Sequence, residues 1–327
     1  MNLKKNDKLV VWAPSSPAPF LFPTRFERAL TQLKERGYNI QVGESCTRNI
    51  DYKIDFFYKL ADEFHHYLLN DKIKGIIFAT GGWTTITLLD YINWEIVKEY
   101  PKPIIGYSDA TALLLAVYSQ TGQKTYHGPM VISEWGEYGG PWTYSSENFE
   151  NILFTEQCEF NLVPAEEWTH EILWWDKDDH RKRLVSGKGG WRVFNPGKCE
   201  GILVGGNLNV ISLMLGTNYM PSFRGKVLFI ETESYSPDKF LAYLTQLKLH
   251  NVFNDIQGLI IGRHSNPIPS NSGFNSFEQI LTLILNDIDD IPVLLDVDIG
   301  HTEPMLTIPI GGRVLIDTQS SLLRVFK

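Results

Sequence analysis

Cysteine, charge-free apolar stretches and surplus positive charge are all scarce in this chain. Its 327 residues include three cysteines, Cys46, Cys158 and Cys199, far apart and with no CxxC pair. That excludes a disulfide-stapled framework and fits a reducing compartment. Charged residues interrupt every stretch long enough to span a bilayer. The opening MNLKKNDKLVVWAP carries only a short apolar run at 9–13, which reads as a first strand rather than a targeting segment. Neither secretion nor membrane insertion is expected, and a cytoplasmic location is. Lys and Arg number 30 against 38 Asp and Glu, a formal charge of −8. Nucleic-acid binding rests on clustered cations, so no nucleic-acid partner is expected. The one dense basic run, His180-Arg181-Lys182-Arg183, directly follows Asp176-Lys177-Asp178-Asp179 and reads as a solvated loop. HExxH, zinc-spaced Cys or His clusters, GxGxxG and the P-loop signature are all missing, so neither a metal nor a dinucleotide site is expected.

What is present is a rich supply of core material: 43% hydrophobic residues, with 18 Phe, 14 Tyr and 9 Trp. That composition and length predict two packed domains and no disordered segment. The first half alternates short apolar runs with helical periodicity. Strands are expected at 8–13, 38–42, 75–79 and 103–106, and helices at 24–36, 55–70, 84–97 and 109–120. Such alternation predicts βαβ units and a mostly parallel sheet, with any site outside the carboxyl ends of the strands. The pattern breaks down over 135–196, where interdomain connection and surface loops are expected. It resumes near 201 with a turn into a helix. Strands at 227–231, 258–262, 292–297 and 313–316 and helices at 239–249 and 277–285 follow. The expected division is an N-terminal domain over 1–165, an interdomain region over 166–199 and a C-terminal domain over 200–327.

Two strand ends carry residues suited to chemistry. In KPIIGYSDATALLLA, Ser108 falls on a sharp strand-to-helix turn. Gly106 allows the turn, Ala110 lets the new helix pack on its strand, and the backbone N–H of Asp109 points where an oxyanion would form. An ordinary helix N-cap is the alternative role for Ser108. At the neighbouring strand end, Thr80-Gly81-Gly82-Trp83 has the freedom to turn a second N–H, that of Gly82, toward the same point.

A serine nucleophile needs a base, and the base needs an orienting acceptor. Of eight histidines, His301 in DIGHTEPMLTIPIGG is best placed, with His264 in GRH and His127 in TYHGP as alternatives. Glu231 closes the apolar run KVLFIE, where a carboxylate is costly unless paired. Glu233 and Asp298 compete with it, and local sequence does not choose among the three.

Taken in order, APSSP, FATGGW, KPIIGYSDATALLLA, TYHGP, GILVGGNLNVISLMLGT, VLFIETES, GLIIGRH and GHTEPMLTIPIGG resemble the LD-carboxypeptidase family, including its microcin C immunity branch. The resemblance covers nearly the whole chain. It implies a flavodoxin-like parallel-sheet domain followed by a smaller α/β domain with a barrel-like sheet. It also implies a serine peptidase with a Ser-Glu-His triad, Ser108, Glu231 and His301, an oxyanion hole at the N–H groups of Gly82 and Asp109, and no cofactor. The implied substrate is a small peptide, an aminoacyl-nucleotide or a murein peptide. A homodimer is expected. The chain departs from the family in Gly81-Gly82-Trp83-Thr84, where Tyr often follows the glycines, and in the spacing of Glu231-Thr232-Glu233.

The immunity branch cleaves an amide joining a peptide or aminoacyl group to a modified nucleotide, and carries a Trp-bearing loop between its domains. Trp174, Trp175 and Trp191 fall in such a loop here, available either to stack on a nucleobase or to anchor the loop. Two readings outside catalysis or outside this family are also open. One is a protein that merely sequesters a ligand in the same cleft. The other is a flavodoxin-type nucleotide enzyme, against which the missing phosphate fingerprint counts.

Overall fold

The computed structural model describes residues 3–233, 236–265, 268–269, 272–288 and 290–327. The strands of the N-terminal half are β1 (Lys8–Trp12), β2 (Asn39–Val42), β3 (Ile73–Phe78), β4 (Ile104–Gly106) and β5 (Thr125–His127). After them come β6 (Glu159–Leu162), β7 (Glu167–Trp168), β8 (Gly187–Lys188), β9 (Arg192–Asn195) and β10 (Lys198–Asn207). The last six are β11 (Lys226–Glu231), β12 (Gly258–Gly262), β13 (Val293–Val297), β14 (Ile308–Ile310), β15 (Arg313–Asp317) and β16 (Leu322–Phe326).

One sheet has the order β14-β5-β4-β3-β1-β2. Its five N-terminal strands run parallel in the 2-1-3-4-5 order of flavodoxin-like folds, and β14 joins antiparallel at one edge. The inner strands β1, β3, β4 and β5 are largely buried, which is why their sequences read as apolar runs such as Ile76-Ile77-Phe78, whereas the edge strand β2 is exposed and reads Asn-Ile-Gln-Val.

The second sheet has the order β6-β16-β15-β10-β11-β12-β13-β9, with β10 to β13 parallel. Rather than closing into a barrel, it is open, with β6 and β9 at its edges. The chain crosses between the sheets three times, from β5 to β6, from β13 to β14 and from β14 to β15. The segment ending in β6 pairs with the C-terminal strand β16, and β14 returns to pair with β5. The second crossing carries residues 298–307 over the carboxyl end of the first sheet.

Three local expectations are corrected. The helix expected over 84–97 is two short ones, Thr85–Leu88 and Trp94–Glu99, because Asn93 caps the second: its Oδ1 accepts from Glu95 N–H at 3.1 Å. The stretch 135–196 contains a twelve-residue helix, Thr143–Phe154, whose buried face includes Ser145 and Ser146 and so lacks an apolar stripe. The segment before the helix Leu208–Met214 is the ten-residue strand β10, whose polar start, Lys198-Cys199-Glu200, hides its pairing with β15.

The basic run expected as a solvated loop is partly buried. Arg183 binds Glu137 through Nε at 2.9 Å, and Asp179 lies 2.7 Å from Arg25 and 3.0 Å from Arg28. No described helix is long and apolar enough to cross a membrane.

Candidate active site

Ser108 follows β4 after the single residue Tyr107, at the head of a short 3-10 turn that leads into the helix Thr111–Thr121. The turn's left-handed residue is Ser108 itself, with φ 58°. A non-glycine side chain in that region carries backbone strain, which marks a position held by its surroundings. Gly106 serves by its size: a Cβ there would lie 2.9 Å from the Ala110 Cβ and 3.1 Å from the Phe78 Cβ. Ser108 is not the N-cap of the helix, a place taken by Ala110.

Its Oγ lies 3.2 Å from His301 Nε2, and His301 Nδ1 lies 2.7 Å from Glu231 Oε2. A carboxylate only accepts, so Nδ1–H donates to Glu231 and Nε2 keeps its lone pair toward the Ser108 hydroxyl. Asn207 Nδ2 donates to the other carboxylate oxygen, Oε1, at 3.1 Å. Glu231 is buried, and desolvation pushes its carboxyl up. The adjacent His301, by charge and hydrogen bond, outweighs that and brings it below the usual carboxylate range. For His301, burial lowers the imidazole pKa, but the Glu231 charge and hydrogen bond prevail and raise it above its ordinary value.

The three groups come from both sheets. Glu231 ends β11, and Asn207 ends the neighbouring β10 at the same register. His301 sits just beyond β13, on the segment that crosses to β14. Gly300, with φ 92°, is required here because a Cβ would fall 2.5 Å from both Cβ and Oε2 of Glu231.

Across the Ser108 hydroxyl lies the turn after β3. A Cβ at Gly81 would stand 2.9 Å from Ser108 Oγ and 3.7 Å from the Asp109 backbone nitrogen, so the glycine turn and the helix start face each other there. Asp109 fixes that relation. Its buried Oδ2 accepts from Thr84 N–H at 3.1 Å, Thr85 N–H at 3.0 Å and Thr85 Oγ1 at 2.7 Å, and Ser15 Oγ in the loop after β1 lies 2.7 Å from Thr85 Oγ1.

None of the other histidines and carboxylates named from sequence takes the place of His301 or Glu231. His264 Nδ1 lies 3.0 Å from Thr232 Oγ1, and its ring stacks on Phe277 at 3.7 Å. His127 is fully buried between Tyr107 and Phe229, and burial lowers its pKa to about 4. Asp298 accepts from Ala165 N–H at 3.0 Å and Trp191 Nε1 at 2.8 Å, and pairs with Arg263. Glu233 is exposed at the cleft.

The hydroxyl opens onto a cleft of about 410 Å³. Trp174 and Trp175 line it together with Phe22 and Trp83, whereas Trp191 stands apart on Asp298. Trp175 is held edge-on to Phe22 at 5.4 Å with Arg25 over its ring, while Trp174 is 66% exposed. Among the described residues, no group of three or more His, Cys, Asp or Glu side chains is placed to hold a metal ion.

Asn207, the Asp109 tether and a buried carboxyl pair, Glu134 and Glu303, were not singled out from sequence. The first had a signal, a polar residue directly after Gly205-Gly206 at a strand end. The pair had none, since its members lie 169 positions apart (303 minus 134).

Family models for the N-terminal and C-terminal domains of LD-carboxypeptidases match residues 9–128 and 200–316. The microcin C7 self-immunity protein MccF of Escherichia coli is 32% identical over 317 residues, covering 96% of this chain and 92% of that protein. A probable murein peptide carboxypeptidase of Bacillus subtilis is 30% identical over 320 residues, covering 97% of this chain and 90% of its own length. The structure of MccF in complex with aspartyl sulfamoyl adenosine superimposes with a TM-score of 0.92 at 30% identity, over 100% of this chain and 97% of that one. The chain belongs to the LD-carboxypeptidase family.

Proposed function

We propose that this protein is a serine hydrolase that cleaves the amide bond between an aminoacyl or peptidyl group and a nucleotide-like leaving group. The observation that carries the reading is the chain Ser108 Oγ, His301 Nε2, His301 Nδ1, Glu231 Oε2, with contacts of 3.2 and 2.7 Å, opening onto a cleft with an aromatic wall.

In this mechanism His301 removes the Ser108 proton as Oγ attacks the carbonyl carbon. Charge then develops on the carbonyl oxygen, and the backbone N–H groups of Gly82 and Asp109 bind it; the strain at Ser108 and the Asp109 tether keep those donors in place before reaction. Protonated His301, stabilised by Glu231, delivers its proton to the leaving nitrogen. Water then hydrolyses the acyl-enzyme by the same proton relay.

The nucleotide side of the reading draws on Trp174, exposed at the cleft and free to stack, and on the likeness to MccF, a microcin C7 self-immunity protein seen bound to aspartyl sulfamoyl adenosine. The likeness to the Bacillus subtilis protein favours a second reading, release of a terminal residue from a murein peptide. Purified protein assayed against an aminoacyl sulfamoyl adenosine and a murein tetrapeptide separates the two. Turnover of the first with Ser108 labelled by a phosphonate probe is expected. Turnover of the murein peptide alone moves the second reading ahead, and turnover of neither with no labelling leaves a ligand-binding protein.

A further inference from the structure

The cleft wall next to the reacting groups is acidic, and its cations are already committed. Glu134 and Glu303 both line the cleft and are only 2% and 3% exposed. The nearby guanidinium groups serve other carboxylates: Arg183 binds Glu137 through Nε at 2.9 Å, and Arg25 binds Glu137 at 3.0 Å and Asp179 at 2.7 Å. Among the described residues, neither Glu134 nor Glu303 has an ion-pair partner.

The two differ in how far their oxygens are satisfied. Tyr107 Oη donates to Glu134 Oε1 at 2.8 Å, and Met130 N–H donates to Oε2 at 2.7 Å. Glu303 Oε2 is buried with no donor among the described residues, and the Glu303 side chain lies within hydrogen-bonding reach of the Glu134 carboxyl. An unsatisfied carboxyl oxygen out of water is destabilising, which makes it a candidate contact for something that enters the cleft.

We propose that Glu134 and Glu303 form the subsite for a primary ammonium group, the free α-amine carried by the residue whose carbonyl Ser108 attacks when the acyl group is a single amino acid. This rests on the hydrolase reading above. Arg183, the cation of the cleft lining, acts on both carboxyls by charge but hydrogen-bonds Glu137; an ammonium adds a second positive charge and a set of N–H donors, one of which reaches Glu303 Oε2. A hydroxyl or neutral amide supplies a donor without the charge. Burial pushes the Glu134 carboxyl up to about 7 and the Glu303 carboxyl well above its usual range, and a cation bound between them acts in the opposite direction by favouring the charged carboxylates.

Chain connectivity sets which part of the substrate lies there. Tyr107, which holds Glu134, immediately precedes Ser108, and its ring centroid is 5.1 Å from that of His301. Glu303 is two residues beyond His301. A cation bound by the pair is therefore a few bonds from the scissile carbonyl. The aromatic groups Phe22, Trp174 and Trp175 belong to segments that carry none of the reacting groups and are left for the remote end of the ligand.

The test compares an aminoacyl sulfamoyl adenosine with its analogue bearing hydrogen in place of the α-amine. Wild-type protein is expected to prefer the amine on the order of 10- to 100-fold in kcat/KM, the worth of one charge-assisted hydrogen bond. Glu303→Gln and, separately, Glu134→Gln should collapse that ratio toward one, with folding checked by circular dichroism. Equal handling of both ligands by wild type, or a ratio that survives in a folded variant, overturns the proposal.

The wild-type ratio needs no variant, so a variant that does not fold leaves the question decidable. If neither compound is hydrolysed, the hydrolase reading is the one that fails. Calorimetric affinities of wild type for the same two compounds then decide the amine subsite: a matching ratio sustains it, and equal affinities end it.

Discussion

Glu231→Gln tests the proton relay most stringently, because Asn207 decides how the new amide must sit. Glu231 receives two donors, Asn207 Nδ2 on Oε1 and His301 Nδ1–H on Oε2. A glutamine has one carbonyl oxygen and one NH2, so it satisfies only one of them. Asn207 is held by its own ties, its backbone N–H to Thr111 Oγ1 at 3.0 Å and its Oδ1 to Val210 N–H at 3.3 Å. The glutamine oxygen therefore turns to Asn207 and its NH2 to His301. Imidazole then accepts at Nδ1 and carries its proton on Nε2, where it can no longer take one from Ser108.

A wrong tautomer of this kind costs about 10⁴-fold in kcat in other serine triads, or about 5.5 kcal/mol of barrier. The assay is kcat/KM against pH for wild type and variant. In wild type the rate should climb through a pKa above 6.5, since neutral His301 is the base and Glu231 raises it. In the variant the acidic limb should move down, because burial alone lowers that pKa. Adding Asn207→Asp gives the glutamine NH2 an acceptor and should recover part of the rate by turning the oxygen back to His301. Glu231→Gln within tenfold of wild type would refute the reasoning.

Ser108→Ala should abolish turnover and phosphonate labelling. Ser108→Gly should melt higher than Ser108→Ala, by about 1 kcal/mol of stability, because only glycine occupies φ 58° without strain; equal melting temperatures would remove the strain argument. Asp109→Ala should lower kcat and cost about 1–3 kcal/mol in urea unfolding, since the Thr84 and Thr85 N–H groups lose their acceptor. Trp174→Ala should raise KM for a nucleotide substrate by about 1–3 kcal/mol of stacking and leave a murein peptide unaffected. Trp191→Ala, which frees the Asp298 carboxylate of a hydrogen bond, should lower stability and act on both substrates alike.

Strands buried on both faces and helices ended by glycine were legible from the sequence because local apolar runs and turn residues report them directly. So were Ser108 and the Gly81-Gly82 turn, each announced by the strand before it, and the ordered motifs that mark the family. Elements whose partners are remote were not legible. β6 pairs with β16, and β14 with β5, across more than 160 residues, and nothing in Glu159–Leu162 or Ile308–Ile310 encodes those distances.

The acceptor for His301 shows the same division. From sequence, Glu231, Glu233 and Asp298 were equivalent carboxylates near strand ends. Tertiary structure separates them: one is buried at 2.7 Å from the imidazole, one is exposed at the cleft, and one is bound to Trp191 and Arg263. Local sequence determines which backbone turns are possible, because φ and ψ preferences are properties of neighbours. Which charges meet depends on long-range packing, because electrostatic partners are set by distance in space rather than along the chain.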